Sequence, residues 1–207
     1  MPLLGYGEDQ LTLWAVTTAL PKFLTALTDN TPKPATTVLL RPSFGRNSTR
    51  AQGSLRSEFG EFDAIVVARS AAYLVEAKWS TSAELDERVV RLRPEQRRRH
   101  EVLRWYFDAW TSSIHGDWDA FRADQSSEFG REFLGMTIPS AGTALARNLE
   151  FVLQRLSDSR RALLDVLLFI SVTDAPLPEA VDPPQFRLVA LRCPSVGGAG
   201  FVRIDDS

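Results

Sequence analysis

Two short apolar segments, 62–68 and 72–79, contain the side chains best suited to chemistry in this sequence. Three residues separate the segments, which predicts a hairpin of two antiparallel strands. Because side chains alternate between the two faces of a strand, Glu76 and Lys78 are expected on the same face of the second strand. The sequence thus predicts a carboxylate and an amine side by side on one strand.

A second carboxylate, Asp63, stands near the start of the first strand. If the turn is centred between Arg69 and Ser70, Asp63 faces Glu76 across the hairpin. Charges placed among apolar strand residues are costly unless a cation or mutual pairing offsets them. A hard divalent cation such as Mg²⁺ prefers a site built of carboxylate oxygens and waters. The pattern therefore indicates a metal site on the hairpin.

Lysine is rare in this chain, and its position is informative. Only three of the 24 basic residues are lysines, namely Lys22, Lys33 and Lys78. An ammonium is a compact charge whose pKa can be lowered, so it can orient an attacking water or help to deprotonate it. We therefore interpret Lys78 as a residue selected for chemistry.

The elements around the hairpin predict an α/β fold. Apolar residues at helical spacing predict a helix from Glu8 to Leu20, which Pro21 ends or kinks. Apolar segments on both faces of the strands indicate a sheet that is covered on both sides. The predicted order is helix, three strands, one or two helices and two strands. The first helix is 8–20 and the three strands are 36–40, 62–68 and 72–79; a helix from Pro94 and one at 143–156 follow, and the last two strands are 163–172 and 186–191. We expect one domain over 1–207, with the polar stretch around 113–142 as a candidate insertion.

The acid and lysine pattern resembles that of the PD-(D/E)XK nuclease superfamily. Its motif corresponds here to Phe62-Asp63 followed by Glu76-Ala77-Lys78, with Phe62 in place of proline. By position, Glu8 matches an acid on the family's first helix, and Gln96 matches a polar residue on the helix after the third strand. The resemblance implies a restriction-endonuclease-like αβββαβ core, a mixed central sheet flanked by helices.

The same resemblance implies a reaction and its site. Family members hydrolyse phosphodiester bonds with Mg²⁺, for which Mn²⁺ is an expected substitute. By that likeness Asp63 and Glu76 are metal ligands, Glu8 completes the metal site and Lys78 acts on the water. The preference for DNA over RNA also comes only from the resemblance.

A local basic patch is the predicted grip on the nucleic acid. The backbone contacts are expected from Arg91, Arg93, Gln96, Arg97, Arg98 and Arg99. Arginine contacts to phosphates position a nucleic acid and make its binding salt-dependent without reading bases. The alternative is a solvated helix face that is balanced by Glu84, Asp86, Glu87 and Glu95.

Composition limits the other possibilities. The net charge of -2 and pI near 5.8 exclude a uniformly basic surface. Cys193 is the sole cysteine, so one chain can build neither a disulfide nor a thiolate zinc site. His100 and His115 are too few for a histidine metal centre. No signal peptide or long apolar stretch is evident, which predicts a cytoplasmic protein with no membrane partner.

Three functional hypotheses follow. The first is an active endodeoxyribonuclease in restriction, defence or repair. The second is a catalytically silent, nuclease-like module that binds nucleic acid or a partner protein, since a fold can outlast its chemistry. The third is a subunit that cleaves only with a partner, and a homo-oligomer is compatible with each of them.

Overall fold

The computed structural model describes residues 3–45, 57–80, 85–86, 88–112, 117–157, 161–196 and 201–204. Its α-helices are α1 (Glu8–Val16), α2 (Leu20–Ala26), α3 (Pro94–Ser112), α4 (Trp118–Glu132) and α5 (Ala144–Ser157). The strands in the first half are β1 (Leu3–Tyr6), β2 (Thr37–Leu40), β3 (Ser43–Phe44), β4 (Gly60–Glu61), β5 (Ala64–Val67), β6 (Ala71–Trp79), β7 (Leu85–Asp86) and β8 (Val89–Arg91). Those in the second half are β9 (Ala162–Ser171), β10 (Ala180–Asp182), β11 (Arg187–Arg192), β12 (Ser195–Val196) and β13 (Phe201–Ile204).

The largest sheet in the described residues has five strands in the order β11-β9-β6-β5-β2. Strands β2, β5 and β6 are antiparallel neighbours, whereas β6, β9 and β11 run parallel. The sheet is therefore mixed, and β6 lies at its centre. Every residue of β5 and all but the last residue of β6 are buried, as expected for strands covered on both faces. The α/β class with a mixed sheet flanked by helices is confirmed.

The hairpin of β5 and β6 has the register expected from sequence. Ala64 pairs with Val75 and Val67 pairs with Ala72, so the turn is centred between Arg69 and Ser70. A slip of one residue would turn every side chain of β6 to the other face. The register therefore decides which face of the sheet carries Glu76 and Lys78.

One face of the sheet packs against α1 and α2. Leu11 and Phe23 from these helices share a buried apolar cluster with Tyr73 and Val75 of β6. Burial of a large apolar side chain contributes about 1.5–3 kcal/mol, so this layer is a principal source of stability. It also fixes the first residue of α1, Glu8, with respect to the sheet.

The first helix ends earlier than we expected. The predicted helix from Glu8 to Leu20 is broken after Val16, and α2 begins at Leu20 with Pro21 as its second residue. Proline is tolerated in the first turn of a helix because its missing N–H would have no partner there. Pro21 therefore helps to begin the second helix rather than ending the first.

The chain divides into two compact units. The first unit contains Met1–Arg41, Phe62–Gln96 and Arg161–Ser207, and it carries the five-stranded sheet. The second unit contains Pro42–Glu61 and Arg97–Arg160. It is built largely of helices.

An aromatic cluster forms the interior of the second unit. Tyr106 stacks against Phe59 and Trp118, and its ring centroid lies 5.1 Å from that of Phe129. Helix α4 occupies much of the stretch 113–142 and is capped by the Asp117 carboxylate, which accepts a hydrogen bond from the Ala120 N–H. Residues 113–116, including His115, lie outside the described part of the chain. No helix among the described residues combines the length and apolar character needed to cross a membrane.

Candidate functional site

Glu76 and Lys78 form a buried ion pair near the end of β6. Their side chains are only 3% and 6% exposed, and Lys78 Nζ lies 3.1 Å from Glu76 Oε1. The Lys78 ammonium also donates to the Ala77 carbonyl oxygen, at 2.9 Å. Both charged groups are thus withdrawn from water, as expected from their alternation on a fully buried strand.

Asp63 immediately precedes β5 and reaches across the hairpin. Its Oδ2 atom accepts a hydrogen bond from the Ala77 N–H at 2.7 Å. Burial raises the pKa of Asp63 to about 7, and the negative charges of Glu76 and Glu8 act in the same direction. The Ala77 N–H and the Lys78 charge oppose the shift but do not cancel it. Asp63 therefore lies within the electrostatic field of both other acids.

Gln96 joins this group from the start of α3. Its Oε1 atom accepts a hydrogen bond from the Arg93 N–H at 2.8 Å, which is half of a capping box at the helix N-terminus. Its Nε2 atom donates to Glu76 Oε1 at 2.7 Å. The side chain is thus fixed at both ends, and the start of α3 is tied to the carboxylate on β6.

Glu8 is the first residue of α1 and interacts with the same group electrostatically. Desolvation lowers the pKa of Lys78, but the charges of Glu76, Glu8 and Asp63 outweigh it and hold that pKa above its usual value. Lys78 therefore remains an ammonium at neutral pH. Three carboxylates and one ammonium share this region, which leaves an excess of negative charge.

This set of oxygen donors suits a hard divalent cation. Mg²⁺ binds carboxylate oxygens and retains several waters, so two or three acids suffice for a site. Among the described residues, no group of three or more His, Cys, Asp or Glu side chains is positioned to hold a metal ion together. Glu76 points instead to Lys78 and Gln96 through Oε1. The donor chemistry fits a metal, and both of these contacts use the same carboxylate oxygen of Glu76.

The arginines of the predicted phosphate patch have varied environments. Arg91 is exposed on β8 and pairs with Asp86 at 3.2 Å, as the solvated-face alternative expected. Arg93 contributes its backbone N–H to the cap by Gln96. In the second unit the Arg98 guanidinium lies 4.8 Å from the centre of the Phe133 ring. Arg97 and Arg99 are partly exposed on α3, while His100 is buried there at 2% exposure.

The link between Gln96 and Glu76 was not foreseen, although the sequence contains a signal for it. Proline at the first position of a helix with glutamine two residues later is typical of a capping box, in which the glutamine side chain turns back. That turn directs the remaining amide group of Gln96 away from the helix. Only the tertiary structure shows that Glu76 is there to accept its hydrogen bond.

Comparison with known proteins adds no relative to this picture. No protein family model, characterised protein or solved structure gives a significant match to the chain.

Proposed function

We propose that this chain is a metal-dependent nuclease that hydrolyses phosphodiester bonds of DNA, on a restriction-endonuclease-like core. The observation that carries the proposal is the convergence of Asp63, Glu76 and Lys78 at one end of the β5–β6 hairpin. Glu8 and Gln96, which the family likeness selected by position alone, act on this group: the Glu8 charge acts on Asp63 and Lys78, and Gln96 donates a hydrogen bond to Glu76.

The energetics of the group also favour a functional role. A buried ion pair seldom adds stability compared with apolar side chains of similar size, because both charges lose their hydration. Here the ion pair has two further acids near it, which increases the cost. A hairpin in the centre of a sheet is made more stable by apolar residues at such positions. Buried charges at such positions favour a catalytic role over a structural one.

In this proposal Asp63 and Glu76 hold Mg²⁺ or Mn²⁺, with Glu8 completing the site. The bound cation would polarise a phosphoryl oxygen, lower the pKa of a coordinated water and stabilise the leaving oxygen. Lys78 remains protonated, so it serves as a hydrogen-bond donor that orients the water or the phosphate rather than as a base. Gln96 is a positioning residue that fixes Glu76.

The choice of DNA and of internal cleavage follows the family likeness, and the role would be restriction, defence or repair. The arginines on α3 would contact phosphates. Such contacts confer affinity without sequence preference. A homo-oligomer or a partner protein is compatible with this activity.

The test is cleavage of supercoiled, linear and single-stranded DNA with Mg²⁺ or Mn²⁺. We expect cleavage by the wild type, loss of at least about a hundredfold in Lys78→Ala, and complete loss with a chelator. Lys22→Ala is the matched control, because Lys22 is an exposed lysine on α2 in the same unit. Its activity should equal that of the wild type.

Each outcome separates the hypotheses. Equal activity of Lys78→Ala and Lys22→Ala would refute the site. A wild type that binds DNA without cleaving it under any metal condition would favour the silent module. Cleavage that appears when cell extract is added to the wild type, but not when the same extract is added to Lys78→Ala, would favour a partner-dependent subunit.

A further inference from the structure

A small exposed apolar face lies on the sheet formed by β1 and β13. Leu4 pairs with Arg203 and Tyr6 pairs with Phe201 in antiparallel register, so these four side chains share one face. Their neighbours Val202 and Ile204 are buried beneath the strands. Leu4, Tyr6 and Phe201 are 50%, 58% and 42% exposed. We call these four residues the aromatic face.

The rings of this face are held in a definite arrangement. The Tyr6 and Phe201 centroids are 5.4 Å apart with planes at 49°. On its other side Tyr6 meets Trp79 edge to face, with centroids 6.1 Å apart. Exposed aromatic side chains normally cost solubility without contributing packing. Here packing against Trp79 orients the Tyr6 ring while more than half of the residue stays in contact with water.

The residues of the aromatic face are close in sequence to those of the proposed nuclease centre. Tyr6 precedes Glu8 by two residues, and Trp79 follows Lys78 directly in β6. Trp79 points to the opposite face of β6 from Lys78 because neighbouring side chains alternate. A nucleic-acid strand that contacts both must therefore pass around the end of β6.

We propose that the aromatic face stacks an unpaired nucleobase, so that the substrate is DNA with a single-stranded part. The inference rests on the proposed nuclease function. An exposed ring can stack on a base only where that base has left the duplex, because paired bases are stacked on one another. Arg203 adds a positive charge on the same face for the adjoining phosphate.

The size of the face argues for a base rather than a protein partner. A stable protein interface buries about 800 Å² on each partner and uses some 20–30 residues per side. Among the described residues the aromatic face comprises four side chains, one of them charged, which is far fewer than such an interface uses.

The test measures binding without cleavage. Fluorescently labelled oligothymidine and a duplex of equal length are titrated in EDTA, and anisotropy gives the two affinities. We expect Tyr6→Ala to weaken single-strand binding about tenfold, which is the low end of the effect of removing an aromatic stacking partner. Duplex affinity should change less than about twofold. Tyr6→Phe, which retains the ring, should bind as the wild type does, and Phe201→Ala should reproduce the loss.

Phe151→Ala is the matched control for a lost exposed ring. Phe151 is 49% exposed on α5 and, like the aromatic face, has an arginine near it, with the Arg155 guanidinium 5.3 Å from the ring centre. This variant should leave both affinities unchanged. Thermal melting of each variant verifies that it is folded. A 2-aminopurine base placed in the oligonucleotide should lose fluorescence on binding to the wild type and retain it with Tyr6→Ala.

The outcomes distinguish the two proposals. Equal single-strand binding by the wild type and folded Tyr6→Ala would overturn the stacking role while DNA cleavage by the wild type still stood. Tyr6-dependent binding without any cleavage would support stacking and refute the nuclease. If light scattering showed a wild-type dimer that Tyr6→Ala dissociates, the aromatic face would be a contact between copies, and the proposal would be overturned.

Discussion

Replacing Asp63 with asparagine should stabilise the metal-free protein at alkaline pH. The pKa of Asp63 rises from 3.8 in the unfolded chain to about 7 in the folded protein, mainly through burial and the charge of Glu76. A shift of this size corresponds to about 4 kcal/mol, and partial exposure of the side chain reduces the expected effect to about 2–4 kcal/mol. Asparagine retains an oxygen that can accept the Ala77 N–H but carries no charge.

The sign of the effect follows from linkage. A carboxylate whose pKa is raised in the folded state lowers the free energy of unfolding only at pH values where the unfolded chain is ionised. Below about pH 4 there is no such loss, because Asp63 is protonated in both states. The loss grows between about pH 4 and 7, as the unfolded chain ionises first, and is complete above about pH 7. Wild-type stability in EDTA should therefore decline over this window relative to Asp63→Asn. The difference between the two proteins isolates Asp63 from the other carboxylates.

Urea unfolding at pH 5 and pH 8.5 measures this difference. We expect Asp63→Asn to gain stability over the wild type between the two pH values, and Mg²⁺ to restore stability to the wild type but much less to the variant. Asp119→Asn is the control, since Asp119 is exposed on α4. A stability difference between Asp63→Asn and wild type that is the same at both pH values would refute the assignment of Asp63 as a strained carboxylate.

Three further outcomes are expected. Gln96→Ala should lower the free energy of unfolding by about 1–3 kcal/mol, because it removes a helix cap and a hydrogen bond to Glu76. It should also slow DNA cleavage, and equal cleavage rates for the variant and the wild type would show that Gln96 does not act at the site. Asp29 accepts hydrogen bonds from Ser70, Tyr73 and the Thr31 N–H, and these outweigh desolvation and lower its pKa to about 2. Asp29→Asn should therefore lower the free energy of unfolding by about 2 kcal/mol at pH 7. Urea unfolding should show this loss becoming smaller as the pH falls from about 4 toward 2. Charge reversal of Arg97, Arg98 and Arg99 should weaken DNA binding and make the DNA affinity less dependent on salt concentration in anisotropy titrations. An unchanged salt dependence would show that these arginines do not contact the phosphates.

Much of the candidate site follows from the sequence alone. The alternation of side chains in β6 places Glu76 and Lys78 together, and the short connection to β5 fixes which residues pair across the hairpin. Both are local properties, since they depend on a period of two and on a connection of a few residues. The segments for β9 and β11 were likewise recognisable from their apolar residues.

Contacts between distant segments were decided only by the tertiary structure. The sequence did not predict that Gln96 would donate to Glu76, that β9 would lie parallel beside β6, or that β1 would pair with β13 to expose Tyr6 and Phe201. Such contacts depend on how the apolar faces of all the helices and strands pack together, which the spacing of residues within one segment does not reveal. The sequence alone therefore determined the charged pair on β6 and its register with Asp63, and folding decided what surrounds them.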